Sequence, residues 1–294
     1  MIVPALVVFM LLHTFASFSS HSSTVVANIV GPSTLAAASV NMHYSPTYVR
    51  EDSLFVYLGN GFLEIQFDKI KGGILSITNK MTRQEYTSRG PFFYIHVTDS
   101  LDTWLDSEHS DSFEHSYSVS DKSSVLHFKS HFTETREGYD ATVSVDIRVV
   151  ANSSLSYWSF AFKDLGAGAA DHVEFPVLSS IKPPVASSND YAIVPDAQGT
   201  LLHDPFQTLG TVGLSADDYP SVRAPLQMMV LGNAAGGLYL ATYDTTGGVK
   251  SFGLWKDRAG NVDAAVTHKL PESPGGDVIF PYETVVGVFD GAWT

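Results

Sequence analysis

Ala141-Thr142-Val143-Ser144-Val145-Asp146-Ile147-Arg148-Val149 alternates without interruption. Ala141, Val143, Val145, Ile147 and Val149 share one side, and Thr142, Ser144, Asp146 and Arg148 share the other. A two-residue period over nine positions describes a strand with one buried face and one wet face. The pattern continues in both directions. Upstream, Leu126, Phe128 and Phe132 form an apolar face with His127, Lys129 and His131 opposite; downstream, Trp158, Phe160 and Phe162 fall together. Earlier, Leu54–Leu58 and Phe62–Phe67 flank Gly59-Asn60-Gly61, a hairpin signal, and Ile74–Thr78 follows Lys71-Gly72-Gly73. Further strands are expected over 172–178, 191–195, 226–232, 238–243, 249–255, 262–268 and 282–289. Leu101–Asp106 is the best helical stretch, at most one or two turns. Many short strands with Gly and Pro punctuation predict an all-β fold, a large antiparallel two-sheet β-sandwich. No repeat of propeller length is present.

Composition narrows the function classes. The 294 residues are 44% hydrophobic and 16% charged, with 18 Phe, 13 Tyr and 4 Trp, so the chain can build a large core. Its 31 acidic residues against 17 basic ones leave 14 net negative charges, which argues against nucleic-acid partners and anionic membranes. The absence of Cys excludes thiolate nucleophiles and Cys-ligated metals.

Four regions are expected. Residues 1–20 read as a signal peptide: Ile2–Leu12 is an apolar run too short for a bilayer span but suited to a secretory h-region, followed by small residues near Ala16 and Ser20. Residues 21–50 are small and polar, a flexible leader. Residues 51–290 hold the sandwich, about 240 residues and more than an immunoglobulin-sized unit of about 100. Residues 291–294 lie beyond it. No other segment is apolar enough to span a membrane. A secreted, extracellular protein follows, and Asn152-Ser153-Ser154, the one N-x-S/T sequon, sits at an expected turn where a glycan fits.

No catalytic set, cofactor motif or metal-ligand set emerges from spacing. The G-x-S-x-G elbow, the P-loop and H-E-x-x-H are all missing. His127 and His131 share a strand face but sit about 13 Å apart; His109 falls in, and His115 directly follows, the acidic stretch Asp99–Glu114, read as a solvated loop. His172 with Glu174, and His203 with Asp204, are the pairs weighed for the acid and base of an aldose mutarotase. Aromatic residues say more. Sugar rings present C–H faces that stack on Trp and Tyr, and their hydroxyls suit carboxylates. Trp255, Tyr243, Asp244, Tyr282 and Trp104 are therefore the carbohydrate-binding candidates, while Trp158 belongs with the core face of its strand.

Gly61-Phe62-Leu63-Glu64-Ile65-Gln66-Phe67, then Gly73-Ile74-Leu75-Ser76-Ile77-Thr78-Asn79 and Thr82-Arg83-Gln84-Glu85, resemble the N-terminal galactose-mutarotase-like supersandwich that precedes many glycosidase barrels. Tyr219-Pro220-Ser221, Leu226–Met229, Gly236–Asp244 and Tyr282–Phe289 resemble the matching part of large secreted glycoside hydrolases with a DUF6259-type barrel. Gly291-Ala292-Trp293-Thr294 resembles the G-D-W opening of that barrel, with Ala292 in place of the usual Asp. The resemblance spans about residues 50–294 and implies an accessory domain that packs on a catalytic barrel and shapes its sugar cleft. It carries no catalytic residue onto this chain, because the family's carboxylates lie in the barrel. A free-standing carbohydrate-binding module is the alternative, and an aldose mutarotase a further one.

Overall fold

The computed structural model describes residues 45–86, 89–98, 102–134, 139–163, 170–182, 189–197, 199–210, 213–270 and 277–291. The expected signal peptide, the leader as far as residue 44 and residues 292–294 lie outside them.

The first strands, β1 (Tyr48–Glu51), β2 (Phe55–Gly59), β3 (Leu63–Asp68), β4 (Ile74–Asn79) and β5 (Gln84–Glu85), pair in sequence order as a five-stranded meander. β6 (Tyr94–Val97) and β7 (Thr103–Asp106) start another sheet. β8 (Ser112–Val119), β9 (Ser123–Glu134), β10 (Tyr139–Val150) and β11 (Leu155–Lys163) form long hairpins, and β12 (Ala170–Ile181) returns to pair with β6. Then come β13 (Tyr191–Val194), β14 (Thr200–His203), the one-turn helix α1 (Pro205–Thr208), β15 (Leu214–Ser215), β16 (Met228–Gly232) and β17 (Gly236–Thr242). The chain continues through β18 (Lys250–Lys256), β19 (Val262–Lys269), β20 (Val278–Ile279) and β21 (Thr284–Asp290). A ten-stranded sheet runs β14-β13-β16-β17-β21-β11-β10-β9-β8 with β20 beside β11, and a six-stranded sheet runs β15-β18-β19-β12-β6-β7. The pairings within these sheets are antiparallel. Among the described residues, no helix is long and apolar enough to cross a membrane.

The alternation in β10 works as its sequence predicts. Ala141, Val143, Val145, Ile147 and Val149 are buried, while Ser144 and Asp146 face water. The core lies between the sheets and is rich in rings. Trp158 on β11 sits at ring-centroid distances of 6.1 Å from Phe67 on β3 and 6.0 Å from Phe175 on β12, so one indole touches all three sheets. Its N–H donates to Ser156 Oγ at 2.8 Å, which removes the cost of burying a donor. The all-β antiparallel sandwich is as expected, and the meander adds a third sheet to the two anticipated.

The hairpin at Gly59-Asn60-Gly61 is also present, and Asn60 shows why. Its Oδ1 accepts from the N–H groups of Phe62 and Leu63, while its Nδ2 donates to Val150 O at 2.8 Å and Ser153 O at 2.7 Å. This one buried amide closes the turn and ties the meander to the β10–β11 turn.

Three expectations change. Tyr48–Arg50, assigned to the leader, form most of β1, which pairs with β2 from Tyr48↔Gly59 onward. Thr103–Asp106 is a strand and not a helix, because pairing with β6 buries Leu105 and leaves Trp104 outside. The acidic stretch is not simply a loop: it supplies β7 and the start of β8. β8 is the last strand of the ten-stranded sheet, and polar side chains suit such an exposed edge.

Candidate functional site

Outward-facing side chains of the six-stranded sheet build the site. Cross-strand pairing sets Trp104, His96, His172 and Lys269 in one row across β7, β6, β12 and β19. A parallel row holds Asp106, Tyr94, Glu174 and Thr267. Directly opposed residues point to the same side of a sheet, so residues far apart in sequence meet. Beyond these rows the register of β12 against β19 jumps twice, between Glu174 and Val177 and between Leu178 and Ile181. Such irregularities bend a strand and re-aim its side chains. A cavity of roughly 350 Å³ opens there, lined by Tyr94, Trp104, Glu174, Val177, Ser179, Trp255 and Asp263. Trp255 and Asp263 are themselves cross-strand partners at the other end.

The electrostatics of the cavity favour protonated carboxyls. Burial pushes Glu174 above the usual carboxylate range. Burial also raises Asp263, against the Ser180 N–H that donates to its Oδ1 at 2.6 Å, with Asp257 adding to the rise. Tyr94 is pushed up to about 12, first by burial and then by the charges of Asp106, Glu174 and Asp263. Its ring meets Trp104 edge-on at 6.3 Å. The result is an aromatic-walled hollow that holds two carboxyl groups, both raised above the usual carboxylate range.

Next to it, the His96 ring lies 4.7 Å and the His172 ring 5.2 Å from Trp104. His96 Nδ1 contacts Asp171 Oδ1 at 2.6 Å and His96 Nε2 contacts Asp102 Oδ1 at 2.7 Å. Burial works to lower His96, but the two carboxylates outweigh it and raise it.

The five aromatic and acidic candidates do not form one site. Trp104 and Trp255 converge on the cavity. Tyr243 is exposed against Tyr157 of β11 at 6.2 Å, away from both. Asp244 and Tyr282 belong to an internal network. Asp244 is buried and bonded to Lys250, whose Nζ lies 4.5 Å from the Tyr282 ring centre. Tyr282 Oη meets His268 Nδ1 at 2.8 Å, and His268 Nε2 meets Phe175 O at 2.7 Å. Burial takes the His268 imidazole down to about 3, so it stays neutral. Of the pairs weighed for mutarotation, Glu174 enters the cavity, whereas His203 is exposed. His127 and His131 pair instead across to Asp146 and Asp140 on β10. Tyr94, Ser179 and Asp263 escaped the sequence reading. Each looks like an ordinary wet-face residue until pairing and bulges bring it to the others.

Comparisons with solved structures place the architecture. An α-N-acetylgalactosaminidase from Bifidobacterium bifidum superposes with TM-score 0.58 at 12% identity, covering 83% of this chain and 36% of the other. A GH36 α-galactosidase from Geobacillus stearothermophilus gives 0.54 at 11% identity, covering 83% and 41%. A galactose 1-epimerase from Lactobacillus acidophilus gives 0.54 at 7% identity, covering 84% of this chain and 98% of its own. The fold is thus a galactose-mutarotase-like β-sandwich, and the chain spans about a third of the length of the galactosaminidase it matches. No protein-family model matches the chain, and a search of the curated proteins finds no relative.

Proposed function

We propose that this chain is a carbohydrate-binding sandwich whose saccharide site is the cavity between Trp104 and Trp255. One observation carries the reading: two Trp rings and Tyr94 wall a hollow that also holds Glu174 and Asp263. Flat aromatic faces match pyranose C–H faces, and the carboxyls fix hydroxyl orientation, the combination of apolar walls with a few polar groups that defines a ligand site. Kinship of fold with glycoside hydrolases and with a galactose epimerase supports a sugar over other ligands. In a longer protein the sandwich is an accessory domain of a secreted glycoside hydrolase, packed on a DUF6259-type catalytic barrel that supplies the hydrolytic groups. Asn152, exposed at the β10–β11 turn, is its glycan site. The test is calorimetric titration of the chain with mono- and oligosaccharides. Saturable binding, weakened at least tenfold in both Trp255→Ala and Trp104→Ala, is expected. Silence across the panel, or binding indifferent to both substitutions, rejects the site.

A second reading, an aldose mutarotase, is favoured by the two raised carboxyls on one cavity. One would donate a proton to the ring oxygen while the other, ionised, takes the proton of the anomeric hydroxyl. Polarimetry of freshly dissolved α-galactose separates the two: acceleration abolished by Glu174→Gln supports catalysis, and the uncatalysed rate leaves binding alone.

A further inference from the structure

Beside the cavity, three ligating side chains from two distant stretches of sequence meet at one point. His96 lies on β6, while Asp171 and His172 lie on β12, and one donor atom from each falls within 4.8 Å of the others. Neighbouring residues on a regular strand point to opposite faces. Here the register slips between Ala170↔Val97 and His172↔His96, which leaves Asp171 as an extra residue in β12. That irregularity turns the Asp171 carboxylate toward the same side as His172, where Oδ1 meets His96 Nδ1 at 2.6 Å and His172 Nδ1 at 2.7 Å.

We infer that His96 Nδ1, Asp171 Oδ1 and His172 Nδ1 form a binding site for a divalent ion of the zinc type, on the rim of the Trp104 cavity. The donor set suits it: imidazole selects zinc and its first-row neighbours, and three protein ligands with an open fourth position are the usual complement of a reactive zinc. The surroundings suit it as well. The remaining nitrogen of His96 is held by Asp102 Oδ1 at 2.7 Å, and a metal-bound histidine almost always gives its other N–H to a carboxylate in this way. Tetrahedral bonds of about 2.0 Å would set the donor atoms about 3.3 Å apart, so the present contacts must open by about 0.6 Å. Asp171 is half-exposed and His172 is only partly covered, so side-chain rotation supplies that movement. The rival arrangement for the same atoms is a metal-free ion network centred on a protonated His96.

The site is independent of the saccharide reading and is tested without sugar. The tag-free full chain, stripped with chelator, is titrated with Zn²⁺ by calorimetry and with Co²⁺ by visible absorption. One ion per chain is expected, with the intense visible bands of four- or five-coordinate cobalt. His96→Gln and His172→Gln should each weaken Zn²⁺ binding at least 100-fold, and Asp102→Asn by about 10–100-fold. His127→Gln, on the far pairing with Asp146, should change nothing. Full-strength binding in His96→Gln or His172→Gln, no binding by the parent chain, or an equal loss in His127→Gln overturns the site. Asp102 is exposed, so Asp102→Asn keeps the fold, and an unchanged affinity in that variant also counts against it.

Discussion

Lys250→Met breaks a fully buried ion pair. Both side chains of the Lys250–Asp244 pair have 0% exposure. The ammonium donates to Asp244 Oδ2, approaches Gln227 Oε1 at 3.4 Å, and lies between the rings of Tyr282 and Tyr219 at 4.5 and 5.0 Å. Removing one partner of such a pair costs about 3–5 kcal/mol, because the other charge is left buried without compensation. Asp244 keeps three donors, the Thr246 N–H and hydroxyl at 2.6 Å and the Gly248 N–H at 2.7 Å. Those bonds place the loss near the lower end, about 3 kcal/mol, or about 6–12 °C in melting temperature for a domain of this size. Urea titration followed by tryptophan fluorescence, with calorimetric melting, reads both. In Lys250→Met/Asp244→Asn no charge is stranded, so the double variant should lose at least about 2 kcal/mol less than the sum of the single losses. The pH dependence follows from Asp244. Burial would raise it, yet the bonds from Lys250 and Thr246 carry it from 3.8 down to about 2. A carboxyl lowered by folding stabilises the fold above its unfolded value and loses that contribution as pH falls through the folded one. The gap between parent and Lys250→Met is therefore widest at neutral pH and closes from about pH 4 toward 2. A loss under about 1 kcal/mol at pH 7, or a double variant equal to the sum of the singles, would refute the reasoning.

Trp158→Ala, emptying the point where three sheets meet, should cost about 3–5 kcal/mol in chemical denaturation, and a loss below about 1 kcal/mol would deny the indole its central place. Asn60→Ala removes four hydrogen bonds, those to the Val150 and Ser153 carbonyls and those from the Phe62 and Leu63 N–H groups, and should cost about 3 kcal/mol; an unchanged denaturation midpoint removes the amide from its bridging role. Glu174→Gln has a pH signature of opposite sign to Asp244. Folding raises this carboxyl above 4.5, so the native state holds the proton longer and stability falls as pH rises past that value. The Gln variant should melt higher than the parent at pH 7 and level with it at pH 4, and a pH-independent difference rejects the burial argument.

Local alternation made much of this molecule readable. The nine residues of β10 and the Asn60 hairpin carry their instruction within themselves, since strand period and turn chemistry act over a few bonds. β7 and β8 were hidden for the opposite reason. Seven of their twelve residues are Ser, Thr, Asp, Glu or His, and such a polar edge strand has much of the composition of a solvated loop. Tyr282 and Asp244 read as sugar contacts from residue type, and in the structure His268 and Lys250 of neighbouring strands bond to them, with Asp244 buried and Tyr282 half-buried.

From sequence alone came the all-β sandwich, the buried faces, and Trp104 and Trp255 among the aromatic candidates. Tertiary structure alone decided that these two share a cavity, that Tyr94, Glu174 and Asp263 furnish it, and that His96 meets Asp171 and His172. The physical reason is range. Alternation is settled between adjacent residues, whereas a site on a sheet face is assembled by register between strands 70 or more residues apart, as for His96 and Asp171. One extra residue in β12 there re-aims a carboxylate that the two-residue period assigns to the other face.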